Sequence, residues 1–377
     1  MLVAAEPSGD ALGAALAAAL KARRDVRLIG VGGPRMAQEG IESAFDIEPL
    51  SVLGVIDALA AYPQVRRRAK QVGALAAQER PDVAVLIDSW GFNLRVAHAI
   101  RRGAPATKLI KYVGPQVWAT RPGRTRALAN AVDQLLTIHA FDAPYFESAG
   151  LPTTFVGNPV LGAARVPGDP TRFRAMIEAA PDAPILLVAP GSRRREVERL
   201  LRPFGEAVNE LAARRPRLKV VVLVAEAVAA TVIEHVKTWA APVHLAIDEA
   251  ERRGAMAAAT AALACSGTVT TELALAGAPM VVAYRLDPPT AAIARLLIRT
   301  PYITLFNVAA GRAVAPELLQ EACTGPRLAA ALAPLLDDPV HRQRQTEAQT
   351  AALALMRGGI DDPAGAAAEA VLAALPT

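Results

Sequence analysis

Cysteine is almost missing from this 377-residue chain, and its two examples, Cys265 and Cys323, stand far apart. That excludes a disulfide framework and a CxxC-type metal signature, and it fits a reducing compartment. Histidine is scarce too. His98, His139, His235, His244 and His341 are scattered singly with no HExxH pair, so no metal centre is expected. Aromatic residues make up only 4% of the chain and are not interleaved with its arginines, which argues against a nucleic-acid surface. No apolar run reaches the roughly 20 residues that a spanning helix needs; Val220–Ile233, for example, is cut by Glu226. The opening Met1-Leu-Val-Ala-Ala5 meets Glu6 and Asp10 at once, unlike the basic start and long apolar core of a secretory leader. A cytoplasmic protein is the expectation. Three signatures are also missing. There is no GxGxxG opening a first βαβ unit, no P-loop lysine and no Gly-x-Ser-x-Gly elbow, which counts against a dehydrogenase, a nucleoside triphosphatase and a serine hydrolase.

What is present is 53% hydrophobic residues, much of it alanine, in enough chain for two domains of ordinary size. The net charge of +5 is compatible with phosphate ligands or an anionic membrane and proves neither. Short β-branched runs alternate with helical stretches: Leu2–Ala5, Val26–Val31, Val83–Asp88, Lys108–Val113 and Gln134–Ile138 read as strands of one sheet. Gly157–Asp182 is rich in Pro, Gly and charge and is the best linker candidate. Beyond it the pattern restarts with strands at Ile185–Ala189, Leu218–Val224, Val243–Ala246, Ala261–Ala264 and Pro279–Tyr284. Near-continuous apolar strands separated by helices predict parallel sheets covered on both faces, with ligands beyond the strand C-termini. The expected architecture is α/β: two Rossmann-like domains, residues 1–160 and 161–340, facing a cleft, and a helical tail, 341–377, packing back on the first domain or a partner subunit.

Three segments carry candidate chemistry. In Pro190-Gly-Ser-Arg-Arg-Arg-Glu-Val197 a strand, a Gly191-Ser192 turn and a helix start make an anion site, and Arg193 is placed to grip a phosphate. A generic strand–turn–helix explains the same residues. In Cys265-Ser-Gly-Thr-Val-Thr-Thr-Glu272, Ser266, Gly267 and Thr268 allow close approach of a diphosphate, and Glu272 lies one helical turn on, where it can accept ribose hydroxyls. The plainer reading is a capped helix with Glu272 facing solvent. In Ile87-Asp-Ser-Trp-Gly-Phe-Asn93, Asp88 ends a strand, as a general base would, or else caps the next turn. Leu50–Lys70 sets an apolar face beside Arg66–Arg68 and Lys70, which suits either a membrane contact or core packing.

These segments, in this order, resemble the bacterial lipid-A-disaccharide synthase family, which has the GT-B fold. The likeness runs nearly end to end: Ala5-Glu-Pro-Ser-Gly-Asp10, Gly30-Val-Gly-Gly-Pro-Arg-Met36, Pro81-Asp-Val83, Ile87-Asp-Ser89, Val117-Trp-Ala119, Pro190-Gly-Ser-Arg193, Ser266-Gly-Thr268 with Glu272, Tyr284-Arg285 and Pro316-Glu-Leu-Leu-Gln320. The resemblance implies an inverting hexosyltransferase in lipid A and lipopolysaccharide biosynthesis. It would pass the glucosaminyl group of UDP-2,3-diacylglucosamine to 2,3-diacylglucosamine 1-phosphate (lipid X), giving a β(1→6) disaccharide 1-phosphate and UDP. It implies Asp88 and Arg193 as the essential pair, residues 191–193, 266–268 and 272 with Asn307 on the nucleotide side, and no cofactor or metal. It further implies a peripheral protein on the cytoplasmic face of the inner membrane, and a homodimer. The alternative is another GT-B enzyme on UDP-sugars, such as a UDP-N-acetylglucosamine 2-epimerase. Trp90, Asn158 and Phe306 depart from the family pattern of proline, histidine and proline. Arg121, Arg124 and Arg126 are candidates for the acceptor phosphate.

Overall fold

The computed structural model describes residues 1–47, 55–117, 123–162, 166–287, 290–291 and 300–376, with side chains in the helix from Val55 given from residue 62 onward. It divides into two compact units, Met1–Ala163 with Arg357–Thr377, and Ala164–Met356. Each is built on a six-stranded, all-parallel sheet.

In the first unit β1 (Leu2–Val3), β2 (Gly30–Val31), β3 (Val83–Ile87), β4 (Lys108–Tyr112), β5 (Gln134–Thr137) and β6 (Thr153–Phe155) lie in the order β2-β1-β3-β4-β5-β6. Strand β3 is buried on both faces, as its unbroken Val-Ala-Val-Leu-Ile requires. Val83, Val85 and Ile87 face one side, packing with Leu16 and Leu20 of α1 (Pro7–Arg23) and Met36 of α2 (Pro34–Gln38). Ala84 and Leu86 face the other, against Val72 of α3 (Val55–Glu79) and Val96 and Ile100 of α4 (Trp90–Gly103). Helix α3 continues through Pro63. Helices α5 (Gly123–Ala129) and α6 (Ala143–Glu147) complete the layer.

The stretch 157–182 is not a bare linker. It holds α7 (Pro159–Gly162) and α8 (Pro170–Met176), the latter capped by Asp169, whose side chain accepts from the Arg172 amide at 2.9 Å. Asn158 is buried and caps α7 through the Val160 amide at 3.0 Å. A short polar side chain that can close a turn lets a Pro- and Gly-rich segment order itself.

The second unit places β7 (Ile185–Ala189), β8 (Lys219–Leu223), β9 (Val243–Ala246), β10 (Ala261–Cys265), β11 (Met280–Tyr284) and β12 (Glu317–Leu319) in the order β12-β11-β10-β7-β8-β9. Its core joins Leu186, Val188, Val222 and Leu263 of the sheet to Leu200, Phe204 and Leu211 of α9 (Arg194–Ala213). Around it stand α10 (Ala229–Val236), α11 (Glu249–Ala258), α12 (Thr268–Leu275), α13 (Leu305–Ala310) and α14 (Gly325–Asp337).

The residues expected as one tail divide between the units. In α15 (Pro339–Arg357) Gln345 bonds both the amide and the carbonyl of Met280, at 3.1 and 2.8 Å, and Gln349 reaches the Ala278 carbonyl. In α16 (Pro363–Leu372) Ala367, Ala368 and Val371 are buried in the first unit's core beside Leu16 and Leu20.

Candidate functional site

In each sheet the strand order reverses beside the first strand of its unit: β1 sits between β2 and β3, and β7 between β10 and β8. Chains leaving the C-terminal ends of those neighbours diverge to opposite faces and open a crevice, where parallel sheets hold their ligands.

In the second unit that crevice is a cavity of about 290 Å³. Gly191, Ser192 and Arg193 after β7 line it, with Ser266, Gly267, Thr268 and Glu272 around the end of β10, so seven of the expected residues share one pocket. Gly191 has φ +108°, a conformation open to glycine, and a Cβ there would stand 3.3 Å from the Cys265 Sγ. Helices α9 and α12 both begin at this cavity, and neither N-terminus is closed by a side-chain cap. Two uncapped helix starts turned on one space, with an arginine beside them, make an anion site.

Arg193, with a side chain 62% exposed, pairs with Glu196 at 3.1 Å, and Glu196 also accepts from the Tyr284 hydroxyl at 2.8 Å. Burial, then that bond to Glu196, pushes the Tyr284 hydroxyl up, so it remains a donor. Burial likewise drives the Cys265 thiol up to about 12, which removes it as a nucleophile. An adjoining cavity of about 360 Å³ shares Arg193, Glu196 and Ser266, and its further wall is mainly apolar, with Leu286, Ile303 and Leu319.

Asn307 does not belong to this site. It is fully buried, its Nδ2 donates to the Ala315 carbonyl (2.9 Å) and to Glu317 (2.8 Å), and its Oδ1 accepts from the amides of Val314 and Ala315. Every polar position of the amide is spent within residues 304–317, so it cannot reach a nucleotide.

In the first unit Asp88 follows β3 and Glu6 follows β1, beside the corresponding reversal. Asp88 is half-buried, and its Oδ2 accepts from the Ser8 hydroxyl at 2.7 Å. Asp88 and Ser89 both have left-handed backbone, φ +51° and +34°, an uncommon pair outside glycine that clusters at functional turns. The Glu6 carboxyl is held up by burial and then by the Asp88 charge, with a bond from Ser89 opposing. Beneath the turn Lys111, buried in β4, donates to the carbonyls of Leu86, Asp88 and Tyr112. Sequence reasoning missed Lys111, because a lysine among the alternating residues of Lys-Leu-Ile-Lys-Tyr resembles an edge-strand surface charge. It also passed over Asp10, which is buried and accepts from the amides of Gly33, Arg35 and Met36, holding the Gly32-Gly33-Pro34 turn.

Trp90 fills the position of the absent proline and carries the Arg124 guanidinium 5.2 Å from its ring centroid. Arg121 and the Trp118-Ala119 segment lie outside the described residues, as do residues 48–54 and the side chains of 55–61, which cover most of the proposed apolar face. His139 is buried, stacked on Phe141, and lowered to about 4 by burial, so it is neutral. Another cavity of the first unit, about 350 Å³, opens at the N-terminal ends of β1 and β3 beside Arg24, Glu79 and Asp82, the end where parallel sheets do not place ligands. Among the described residues no group of three His, Cys, Asp or Glu side chains is arranged to hold a metal, and no helix is long and apolar enough to cross a membrane.

The family model for lipid-A-disaccharide synthetase matches residues 1–371. The chain belongs to that family. It is 45% identical over 373 residues to the lipid-A-disaccharide synthase of Rhodospirillum centenum, covering 98% of this chain and 93% of that one. It is 44% identical over 376 residues to the synthase of Paramagnetospirillum magneticum, covering 98% and 96%. Its fold resembles the crystal structure of UDP-GlcNAc 2-epimerase from Neisseria meningitidis bound to UDP-GlcNAc, with a TM-score of 0.63 and 12% identity over 99% of this chain and 98% of that one. At that identity the likeness concerns fold alone. Membership makes this synthetase-family chain a GT-B-type glycosyltransferase of lipid A biosynthesis.

Proposed function

We propose that the chain transfers the 2,3-diacylglucosaminyl group from UDP-2,3-diacylglucosamine to 2,3-diacylglucosamine 1-phosphate, with inversion, forming the β(1→6) disaccharide 1-phosphate and UDP. The observation that carries this is the pocket at the strand reversal of the second unit, where two uncapped helix starts and Arg193 meet. On this reading the pocket holds the diphosphate, and Glu272 takes the ribose hydroxyls. The adjoining apolar cavity supports a donor that carries acyl chains. The acceptor 6-hydroxyl attacks the anomeric carbon on the face opposite UDP, and Asp88 takes its proton. The Ser8 hydroxyl fixes one carboxylate oxygen of Asp88 and leaves the other for the substrate. Arg193 and the helix amides stabilise UDP as charge gathers on it. A stabilised diphosphate leaving group needs no side-chain acid and, held this way, no metal.

The test is a mass-resolved assay with synthetic diacylated donor and acceptor. Disaccharide 1-phosphate and UDP are expected together, unaffected by chelator. Asp88→Asn is expected to keep UDP affinity and lose at least about 100-fold in turnover; near-normal turnover would remove Asp88 as base. The fold likeness to an epimerase bound to UDP-GlcNAc favours a second reading, an enzyme acting on the UDP-sugar alone. UDP release without acylated acceptor would select it.

Peripheral binding to the cytoplasmic face of the inner membrane belongs to the same proposal. Arg66 and Lys70 of α3 and Arg95, His98 and Arg102 of α4 line a shallow groove with no acidic side chain among its lining residues. Such a surface is drawn to anionic lipid. Arg66→Glu with Lys70→Glu is expected to weaken co-sedimentation with anionic vesicles and to leave UDP binding intact; unchanged sedimentation would end the idea. The homodimer is proposed from family resemblance alone, and sedimentation velocity decides it.

A further inference from the structure

Lys111 is 2% exposed, yet it sits under the turn that carries Asp88. Three carbonyl oxygens surround its Nζ: Leu86 at 3.1 Å, Tyr112 at 3.3 Å, and Asp88. An ammonium has three N–H donors and no lone pair, so the charged form matches this cage group for group. A neutral amine would turn its lone pair on one of the carbonyls. The same stretch of backbone is gripped from the other side. Asn93, 1% exposed, donates its Nδ2 to the carbonyls of Ile87 (2.7 Å) and Asp88 (2.9 Å). The left-handed pair Asp88-Ser89 that follows is strained backbone, which persists only where its surroundings over-determine it. Lys111 and Asn93 are those surroundings.

We propose that Lys111 is a positioning residue for the transfer: its buried ammonium anchors the turn that carries Asp88 and offsets the mutual repulsion of Glu6 and Asp88. This rests on Asp88 being the base. The charged groups facing Lys111 among the described residues are Asp88, after β3, and Glu6, after β1. No step of the reaction passes through Lys111 itself; it never touches the substrate.

The arrangement is sensitive to pH. Burial lowers the Lys111 ammonium to about 7, against the opposing pull of Asp88 and Glu6. As pH rises through that value the Nζ keeps two hydrogens for three carbonyls and loses its charge. Turnover therefore falls on the alkaline side with an apparent pKa near 7. Stability moves the other way. Between about 7 and the usual lysine value near 10.4 the unfolded chain binds more protons, so the cost of burying the charge is full below 7 and fades as pH rises.

Lys111→Met separates these effects. The expected result is a kcat about 10- to 100-fold below the wild-type plateau, with KM for donor and the Kd for UDP within about twofold. The alkaline limb should be gone, and Tm at pH 6 should fall, because three buried carbonyls lose their donor. Wild-type kcat, or an alkaline limb that survives the substitution, overturns the proposal; a lower Tm with the limb unchanged would mean a role in packing only. If that variant does not fold, Lys111→Gln keeps two donors and drops the charge, with the same kinetic expectation. Nitrogen-15 NMR of the wild-type lysines gives an independent reading, and an Nζ that titrates only above pH 10 also overturns it. Asp88→Asn in the same assay keeps the two ideas apart: near-normal turnover there fails the base, whereas an inactive Asp88→Asn beside a normal Lys111→Met fails the brace.

Discussion

Arg193 stands at the N-cap of α9 with its guanidinium mostly in solvent and tied, among the described residues, to Glu196 alone, a state from which it can turn to a phosphate by giving up one ion pair. Hydrogen bonds to charged groups contribute about 1.5–3 kcal/mol. Arg193→Ala is therefore expected to weaken UDP binding about 10- to 100-fold, read by calorimetric titration, with Tm in the absence of UDP little changed because the Arg193 end of the pair lies in solvent and Glu196 keeps its bond from Tyr284. Lysine should rescue little, since a point charge lacks the fork that clasps two phosphate oxygens. Asn307 behaves in the opposite way. Its amide closes four bonds in a dry interior, so Asn307→Ala strands the amides of Val314 and Ala315 and costs about 2–4 kcal/mol of stability. UDP affinity of the folded variant should stay within about twofold. A large loss of UDP affinity without loss of stability would return Asn307 to the nucleotide site.

At the scale of elements, the chemistry sits where strands stop. The end of β7 needs glycine at 191, because the chain there takes φ +108° to turn into α9 under the Cys265 side chain. Gly191→Ala forces a left-handed conformation on a residue with a Cβ, at a cost of about 1–2 kcal/mol. It also brings that carbon to 3.3 Å from the Cys265 Sγ. Both Tm and UDP affinity are expected to fall, since the displaced turn carries Ser192 and Arg193; an unchanged Tm would show that the turn relaxes freely. Long apolar strands such as β3 and β7 were readable to within a residue or two, because burial on both faces leaves an unbroken apolar run. The edge strands β6 and β12 were not. Thr153–Phe155 and Glu317–Leu319 are three residues each and half-covered, too short for any periodicity to register. Val26–Val31 was read as a full strand, yet only Gly30 and Val31 pair with β1.

On the scale of the whole molecule, two compact units that share no core cluster among the described residues imply two unfolding events. If UDP is held in the second unit, as proposed, a concentration about 100 times its Kd stabilises that unit by about 2.7 kcal/mol. Differential scanning calorimetry should then show one transition rising with UDP and the other standing still. Equal movement of both would place the ligand against both units or make their unfolding cooperative. The first unit is assembled from two pieces of chain, since residues from Arg357 onward return to it and bury Ala367, Ala368 and Val371 against α1. An alanine-rich helical tail announces only that it needs a partner. Which partner it finds is settled by the shape of the face left open beside Leu16 and Leu20.

From sequence alone came the two parallel-sheet halves, the segments at their strand ends and the likeness to a glycosyltransferase family, because apolar runs, glycine turns and short ordered motifs are local properties. Tertiary structure decided which of those segments meet. It gathered seven residues from two strand ends into one pocket, buried Asn307 in its own hydrogen bonds, and set a lysine of β4 beneath the aspartate that follows β3. Such contacts depend on strand order and on distance through space, and the spacing of residues along a chain carries neither.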